Sequence, residues 1–133
     1  MTAKQWGVLA AVAVAIMVSA TAFAADAPVD TGNYLLRQCR EAIKIIDGKD
    51  GDIQDASYCF GFVRATYSAL QMDASDFGVC PPSGGVTGEQ GVRIVVKFLN
   101  EHPERLHEDA FVLAFVAMGQ AFVCPPKKKG WKP

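Results

Sequence analysis

The sequence predicts an all-α protein: a small four-helix, up-and-down-like bundle that two disulfides brace and that a cleaved signal peptide precedes. Three observations support this prediction. An apolar run lies near the amino terminus, four cysteines all follow it, and four later segments carry apolar residues at three- and four-residue steps. Steps of this size place the apolar side chains on one face of a helix.

The first residues have the organisation of a secretory signal peptide. Lys4 supplies a positive charge, Val8–Val18 form an unbroken apolar run, and Ala22 and Ala24 give the small-x-small pattern that signal peptidase accepts. A retained membrane anchor is the alternative, but a span needs roughly 20 apolar residues and this run ends sooner. We therefore predict that residues 1–24 are removed and that the product is exported without a stable membrane anchor.

The remaining chain divides into one domain, residues 25–126, and a basic tail, residues 127–133. Removing Lys4 with the signal peptide reduces the 13 Lys and Arg to 12, against 14 Asp and Glu, and four of those lysines lie in the tail. The domain is therefore acidic, which disfavours nucleic acid and favours a basic protein surface as a partner. We interpret the tail as a flexible, solvated end rather than a membrane-surface segment.

Two helices are predicted in the first half of the domain. Asp30 or Thr31 can cap the first, which should end before Asp47. A polar loop then leads to a second helix from about Ile53 to Met72, where Gly61 is expected to allow close approach of a neighbouring helix.

A long irregular segment follows, because residues 73–85 contain three glycines and two prolines. Thr87 and Gln90 then fit a capping box at the start of a third helix, which should stop near Asn100. The segment before this helix is the longest predicted loop of the domain.

The last helix is unusual because its middle is apolar all round. After the break at His102-Pro103, residues 104–106 can form one turn, and a fourth helix should run from about Glu108 to Phe122. Ala110–Met118 is apolar without interruption, so this stretch has no polar face to turn towards solvent. Two explanations stay open: a central core helix, or a self-association surface of a homodimer that includes Phe111, Phe115 or Phe122.

Four cysteines in an exported chain favour two structural disulfides, for which three pairings are possible. In an up-and-down bundle the end of the first helix lies beside the start of the second, which brings Cys39 to Cys59. The ends of the second and fourth helices share one pole, which brings Cys80 to Cys124. We therefore predict the pairs Cys39–Cys59 and Cys80–Cys124.

The motifs for chemistry are weak. Residues 47–53 look like a calcium loop. Aligning Gly51 with the glycine of such a loop, however, places Ile46, Gly48 and Ser57 at positions where oxygen ligands are required. His102 and His107 do not have the spacing of a zinc-binding helix. Since no catalytic triad, phosphate-binding loop or dinucleotide motif is present either, the sequence favours a binding module over an enzyme and predicts no metal or cofactor.

Several short groups of residues lie in order along the domain: Gly32-Asn33-Tyr34-Leu35-Leu36 with Cys39, Tyr58-Cys59 with Gly61, Cys80-Pro81-Pro82 with Val86, and Val95-Val96-Lys97-Phe98-Leu99 with His102-Pro103-Glu104, Leu106-His107, Ala110 and Cys124-Pro125. Together they resemble the Rap/Tai immunity proteins, and the resemblance covers nearly the whole chain after the signal peptide. Each group is weak alone, but their shared order is fairly specific.

The resemblance implies a function. Rap/Tai proteins are small exported helical proteins that neutralise peptidoglycan amidases delivered by type VI secretion. It therefore implies a periplasmic inhibitor whose partner is an amidase effector and which acts by occluding the cleft of that enzyme, without a catalytic activity of its own.

Two loops are candidates for contact with such a partner. The acidic 47–52 loop could meet a basic rim, and a glycine-containing loop near Cys80 could enter a narrow cleft where bulky side chains would clash. Either loop could instead be an ordinary connection. The candidate contact residues are Asp47, Asp50, Asp52, Ser83, Gly84 and Gly85.

Two other classes of function stay open. A periplasmic stress or holdase-like protein without a toxin partner fits the small size, the cysteines and the apolar fourth helix. An uncharacterised hydrolase or metal protein would require a role for His102 or His107. The inhibitor hypothesis explains more of the residues than either alternative.

Overall fold

A computed structural model of the chain describes residues 30–72 and 74–126. This part contains four α-helices and one 3₁₀ turn, which confirms the predicted four-helix class. The predicted signal peptide, residues 1–24, and the basic tail, residues 127–133, lie outside the described residues. The helices are α1 Gly32–Ile46, α2 Ile53–Met72, α3 Gly88–Glu101 and α4 Ala110–Ala121, and the 3₁₀ turn is Pro103–Arg105.

The first three helices begin at side chains that accept a hydrogen bond from the backbone N–H three residues further on. Thr31 caps α1 in this way at 3.4 Å, Asp52 caps α2 at 2.9 Å, and Thr87 caps α3 at 3.1 Å. Such bonds satisfy N–H groups that the helix itself leaves unpaired. Of the two predicted caps for α1, Thr31 is therefore correct, and the cap predicted for α3 is confirmed.

The fourth helix begins later than predicted. The sequence pattern predicts a start at about Glu108, whereas α4 begins at Ala110 after the cap Asp109. Glu108 instead accepts two hydrogen bonds from the Arg105 guanidinium in the preceding turn, at 2.8 and 2.7 Å. This bidentate ion pair holds Glu108 outside the helix and lowers the pKa of its carboxyl.

Helix α3 runs antiparallel to α1. Near its start, Arg93 donates to the Asp47 carboxylate at 2.8 Å, and Asp47 follows the last residue of α1. At its other end, Asn100 accepts a hydrogen bond from Arg40, in the middle of α1, at 3.2 Å. The start of α3 therefore lies beside the end of α1.

Helices α2 and α3 run parallel. The direction of the chain therefore reverses between α1 and α2, as in an up-and-down bundle, but does not reverse between α2 and α3. A Cβ on Gly88 would lie 3.3 Å from the Phe60 ring, and one on Gly91 would lie 2.8 Å from Val63. Returning from Met72 to the level of Phe60 covers about 18 Å at 1.5 Å per helical residue. Residues 73–87 are long enough to span that distance.

Both predicted disulfide pairs are present. Cys39–Cys59 joins α1 to α2, with Cα atoms 5.0 Å apart. Cys80–Cys124 joins the segment after α2 to the segment after α4, with Cα atoms 4.7 Å apart. Two backbone hydrogen bonds lie beside the Cys80–Cys124 disulfide. The N–H of Cys80 donates to the carbonyl of Phe122 at 2.7 Å, and the N–H of Cys124 donates to the carbonyl of Gly78 at 2.9 Å. The end of α4 is therefore held against the 78–80 segment.

All four helices contribute to one core. On α4 the predicted core role is correct for one side of the helix, which carries Leu113 and Met118, both without exposed surface. The largest fully buried side chains are Leu35, Val63, Thr66, Leu70, Val92, Val95, Leu99, Leu113 and Met118, together with Cys39 and Cys59.

Close helix approach depends on Gly91, not on Gly61. A Cβ on Gly61 would meet nothing within 4 Å, so the expectation for that residue is wrong. A Cβ on Gly91 would lie 2.8 Å from the Cγ1 of Val63 and 3.1 Å from the Cε of Met118. Glycine at this position therefore allows α3 to pack closely against α2 and α4.

The residue before the first cap is also tied to α2. The hydroxyl of Tyr58 donates to the carboxylate of Asp30 at 2.9 Å. Burial of the Tyr58 hydroxyl, and then its hydrogen bond to Asp30, raise the pKa of Tyr58 to about 12. Below that pH the tyrosine stays neutral and donates this bond.

Candidate functional site

The loop between α1 and α2 is held against α1. The N–H of Lys49 donates to the carbonyl of Lys44 at 2.8 Å, and the N–H of Asp52 donates to the Glu41 carboxylate at 3.1 Å. The Lys44 ammonium and then this N–H lower the pKa of Glu41. A Cβ on Gly51 would lie 2.7 Å from the Glu41 carbonyl oxygen. The loop is therefore packed directly against α1.

The three aspartates predicted for partner contact lie on this loop but differ in their bonding. Asp47 accepts from Arg93, and this hydrogen bond raises the pKa of the guanidinium. Asp52 caps α2. Asp50 is exposed, and within the described part of the chain its carboxylate has no hydrogen-bond or ion-pair partner. Two of the three carboxylates therefore have structural roles, and Asp50 offers a free one.

The second predicted contact loop, Ser83–Gly85, is exposed and leads into the cap of α3. Gly85 has a φ of 78° and its N–H donates to the Pro82 carbonyl at 2.9 Å, so the turn itself requires glycine there. A Cβ on Gly84 would meet nothing within 4 Å. No contact in the described part of the chain therefore explains the absence of a side chain at Gly84.

The structure brings the two candidate loops to the same end of the bundle. The 47–52 loop joins the end of α1 to the start of α2. The start of α3, which follows Ser83–Gly85, lies beside Asp47 through the Arg93 ion pair. A strictly alternating bundle would instead place them at opposite poles, so their proximity follows from the parallel course of α2 and α3.

A cavity lies between α2 and α3, just after the second loop. It has a volume of about 170 Å³. Val86 and Gly88 lie at its α3 side, and Arg64 and Tyr67 lie at its α2 side. Phe60, Val63, Thr87, Gly91 and Met118 complete the lining. The cavity is therefore mainly apolar, with one cationic group among its lining residues.

An apolar surface, termed here the α4 face, lies on the other side of α4 from the core. Its aromatic part is a row of three rings, with Phe77 5.1 Å from Phe115 and Phe111 5.9 Å from Phe115 between ring centroids. Phe77 is 58% exposed. The face consists of Phe77, Phe111, Val112, Phe115, Val116 and Val123.

The sequence pattern identifies only part of the α4 face. Phe111 and Phe115, two of the three candidates of the self-association hypothesis, belong to it, but Phe122 is half-buried, with its ring 6.4 Å from that of Tyr67. Phe77 was not identified because it lies in an irregular segment, where no periodicity indicates which way a side chain points. The only available signal was an aromatic residue next to Gly78.

His102 has ordinary structural contacts, and His107 is exposed. The Nδ1 of His102 lies 3.2 Å from the Glu104 carboxylate, and its ring lies 4.4 Å from that of Phe98. Within residues 30–72 and 74–126 there is no cluster of three His, Cys, Asp or Glu side chains that could hold a metal ion. Within the same residues, none of the helices is both long and apolar enough to cross a membrane.

A small disulfide-braced helical domain that presents packed loops at one end and an exposed apolar face along its last helix has the features of a helical protein-binding module. Comparison with family models then gives a specific assignment. The model for Rap1a immunity proteins matches residues 31–124, so the chain belongs to the Rap1a immunity protein family. No curated protein and no solved structure matches the chain.

Family membership gives the molecule an immunity role, exerted by binding a toxin partner, and favours inhibition over catalysis. The two disulfides and the family together indicate an exported protein. The match begins at the cap of α1 and ends at Cys124, so it includes every described helix and both disulfides.

Proposed function

We propose that the protein acts in the periplasm, where it binds a peptidoglycan amidase-type toxin and thereby protects the producing cell. The observation that carries this proposal is the match of residues 31–124 to the Rap1a immunity family. The amidase as partner and type VI secretion as its route come from the resemblance to Rap/Tai proteins. An N-terminal signal peptide, residues 1–24, would deliver the chain to that compartment.

The mechanism we propose is occlusion of the toxin's catalytic cleft. The 47–52 loop and the Ser83–Gly85 loop lie at one end of the bundle, so a single partner can contact both. Because the first loop is hydrogen-bonded to α1 and the second lies between a disulfide and a helix cap, little conformational entropy is lost on binding. Asp47, Asp50, Asp52, Ser83, Gly84 and Gly85 are the proposed contact residues.

A rescue assay tests this function. The product of the neighbouring reading frame is directed to a bacterial periplasm with and without this protein, and lysis and peptidoglycan cleavage are followed. We expect lysis in its absence and survival in its presence. A variant without residues 1–24 should not protect, because it stays in the cytoplasm, where it does not meet the toxin and its disulfides do not form. Continued lysis despite folded, exported protein would overturn the pairing.

We further propose that the α4 face joins two copies of the chain. The face carries aromatic and aliphatic side chains without a charged residue, so the same surface on a second copy is a suitable partner in a two-fold contact. The α4 face packs beside Ala69 of α2. At a rise of 1.5 Å per residue, Ala69 lies about 24 Å from the start of that helix. A dimer formed around this part of the face would leave the 47–52 loop free.

Self-association is tested by sedimentation of the exported protein. We expect a dimer for the wild type and a monomer for Phe111→Ser combined with Phe77→Ser. The control is Ile53→Ser, which replaces an even more exposed apolar side chain at the start of α2 and should remain dimeric. A wild-type monomer at about 100 μM, a concentration well above the dissociation constant of a typical specific complex, would refute the proposal.

The exposed α4 face also favours a second candidate function, a holdase-like stress protein. Such a protein binds unfolded chains through apolar surface, without a specific toxin. Suppression of aggregation of a reduced model protein, together with increased binding of an apolar dye at acidic pH, would support it. If the α4 face is instead closed by a second copy, the dimer should show neither effect.

A further inference from the structure

The loop at the toxin-binding end carries an exposed apolar residue that the fold does not use. Ile53, the first residue of α2, is 76% exposed. β-Branched residues are not favoured in helices, so helix formation does not require isoleucine at this position. Ile45, near the end of α1, is also partly exposed and lies against Gly51 of the same loop. Two isoleucines thus flank the loop at the surface.

We propose that Ile53 is the apolar anchor of the toxin contact, with Ile45 beside it and the free carboxylate of Asp50 as its charged neighbour. This inference rests on the proposed inhibitor function and specifies its contact surface. We term Ile45, Asp50 and Ile53 the anchor surface. Of the residues that form it, only Asp50 was among the contact residues predicted from the sequence.

The anchor surface is rigid before it meets a partner. The two hydrogen bonds that tie Lys49 and Asp52 to α1 fix the loop between the isoleucines. Gly51 packs against the backbone of α1 too closely for a side chain. An exposed apolar group on a fixed backbone loses little freedom on binding, and its burial removes apolar surface from water.

Charge indicates the chemistry of the partner. Residues 41–55 contain five acidic and two basic side chains, a net charge of −3. Lys44 is paired with Glu41 at 2.6 Å, and Asp47 with Arg93 at 2.8 Å. The remaining excess is negative and includes Asp50. The occupant we infer is therefore a toxin surface with an apolar socket bordered by lysine or arginine.

Two matched pairs of variants test the anchor surface against the toxin that the rescue assay identifies. Ile53→Ser is compared with Met72→Ser, since Met72 is 79% exposed at the opposite end of the same helix. We expect Ile53→Ser to weaken toxin binding about tenfold or more, as for a central interface residue, and Met72→Ser to change it less than about twofold. Both variants should keep the wild-type unfolding midpoint.

The second pair tests the charge. Asp50→Lys is compared with Asp76→Lys, an exposed aspartate in the segment after α2. We expect Asp50→Lys to slow association and to reduce its dependence on salt, and Asp76→Lys to do neither. Wild-type protection combined with unchanged affinity of Ile53→Ser would overturn the anchor while leaving the inhibitor function intact. Absence of protection by the wild type would overturn the function itself, and the anchor with it.

Discussion

Alanine at both Cys39 and Cys59 is expected to lower the free energy of unfolding by about 2–5 kcal/mol, as for native disulfides of small exported domains. The bond joins residues 20 apart in sequence. In the loop-closure model, the lost constraint on the unfolded chain alone accounts for about 3 kcal/mol. Both cysteines are fully buried, so the smaller alanine side chains also leave a void in the core.

Chemical denaturation of the exported wild type and variant, without reductant, checks this value. The matched comparison is alanine at both Cys80 and Cys124, which opens a loop of 44 residues. Chain entropy predicts about 4 kcal/mol for that bond, but Cys80 is exposed and contributes no core packing. A loss below about 1 kcal/mol for both pairs would contradict a stabilising role of the disulfides.

Leu70→Ala is expected to destabilise the protein by about 2–5 kcal/mol, the range for large buried apolar side chains. Leu70 lies in the last turns of α2 and has no exposed surface. Its removal deletes apolar contacts and leaves a cavity that neighbouring side chains fill only in part. The expected loss is a large fraction of the total stability of a domain of this size.

The measurement is again the free energy of unfolding, with Met72→Ala as the control two residues away. Met72 is 79% exposed, and its truncation should change stability by less than about 0.5 kcal/mol. Equal losses for the two variants would mean that α2 does not bury the face that carries Leu70.

The helix boundaries were largely predictable because they depend on local contacts. Thr31, Asp52 and Thr87 accept bonds from N–H groups three residues away, and Ile46 and Met72 precede polar or glycine-containing segments. The start of α4 was placed too early, because whether Glu108 continues the helix or pairs with Arg105 is decided by a contact in the preceding turn.

The disulfide pairs were also predictable, although the bundle does not alternate strictly. The argument for Cys39–Cys59 needs only that α1 and α2 are antiparallel, and this holds. For Cys80–Cys124 the predicted pair is correct but its predicted reason is wrong, because α4 begins beside the start of α1 and its end therefore does not share a pole with the end of α2. The segment after α2 instead carries Cys80 back to the end of α4. The parallel course of α2 and α3 could not be predicted in this way, because a connection as long as residues 73–87 permits either direction.

The candidate site was only partly predictable for the same reason. Charge alone makes Asp47, Asp50 and Asp52 equivalent, and only their partners in space separate the free carboxylate from the two that have structural roles. The apolar pattern likewise includes Ile53 among the helical positions of α2, although the fold leaves it exposed. Periodicity describes one helix at a time and does not show which neighbours cover it.

The sequence by itself determined the number of helices and most of their ends, since these depend on residues close in the chain. It also determined that the cysteines form structural disulfides, since this depends on export to an oxidising compartment. The tertiary structure alone decided which side of α4 is buried, that Phe77 completes the α4 face, and that the two candidate loops share one end of the bundle. Those properties come from the packing of segments far apart in sequence, where small differences in burial and connection length select one arrangement.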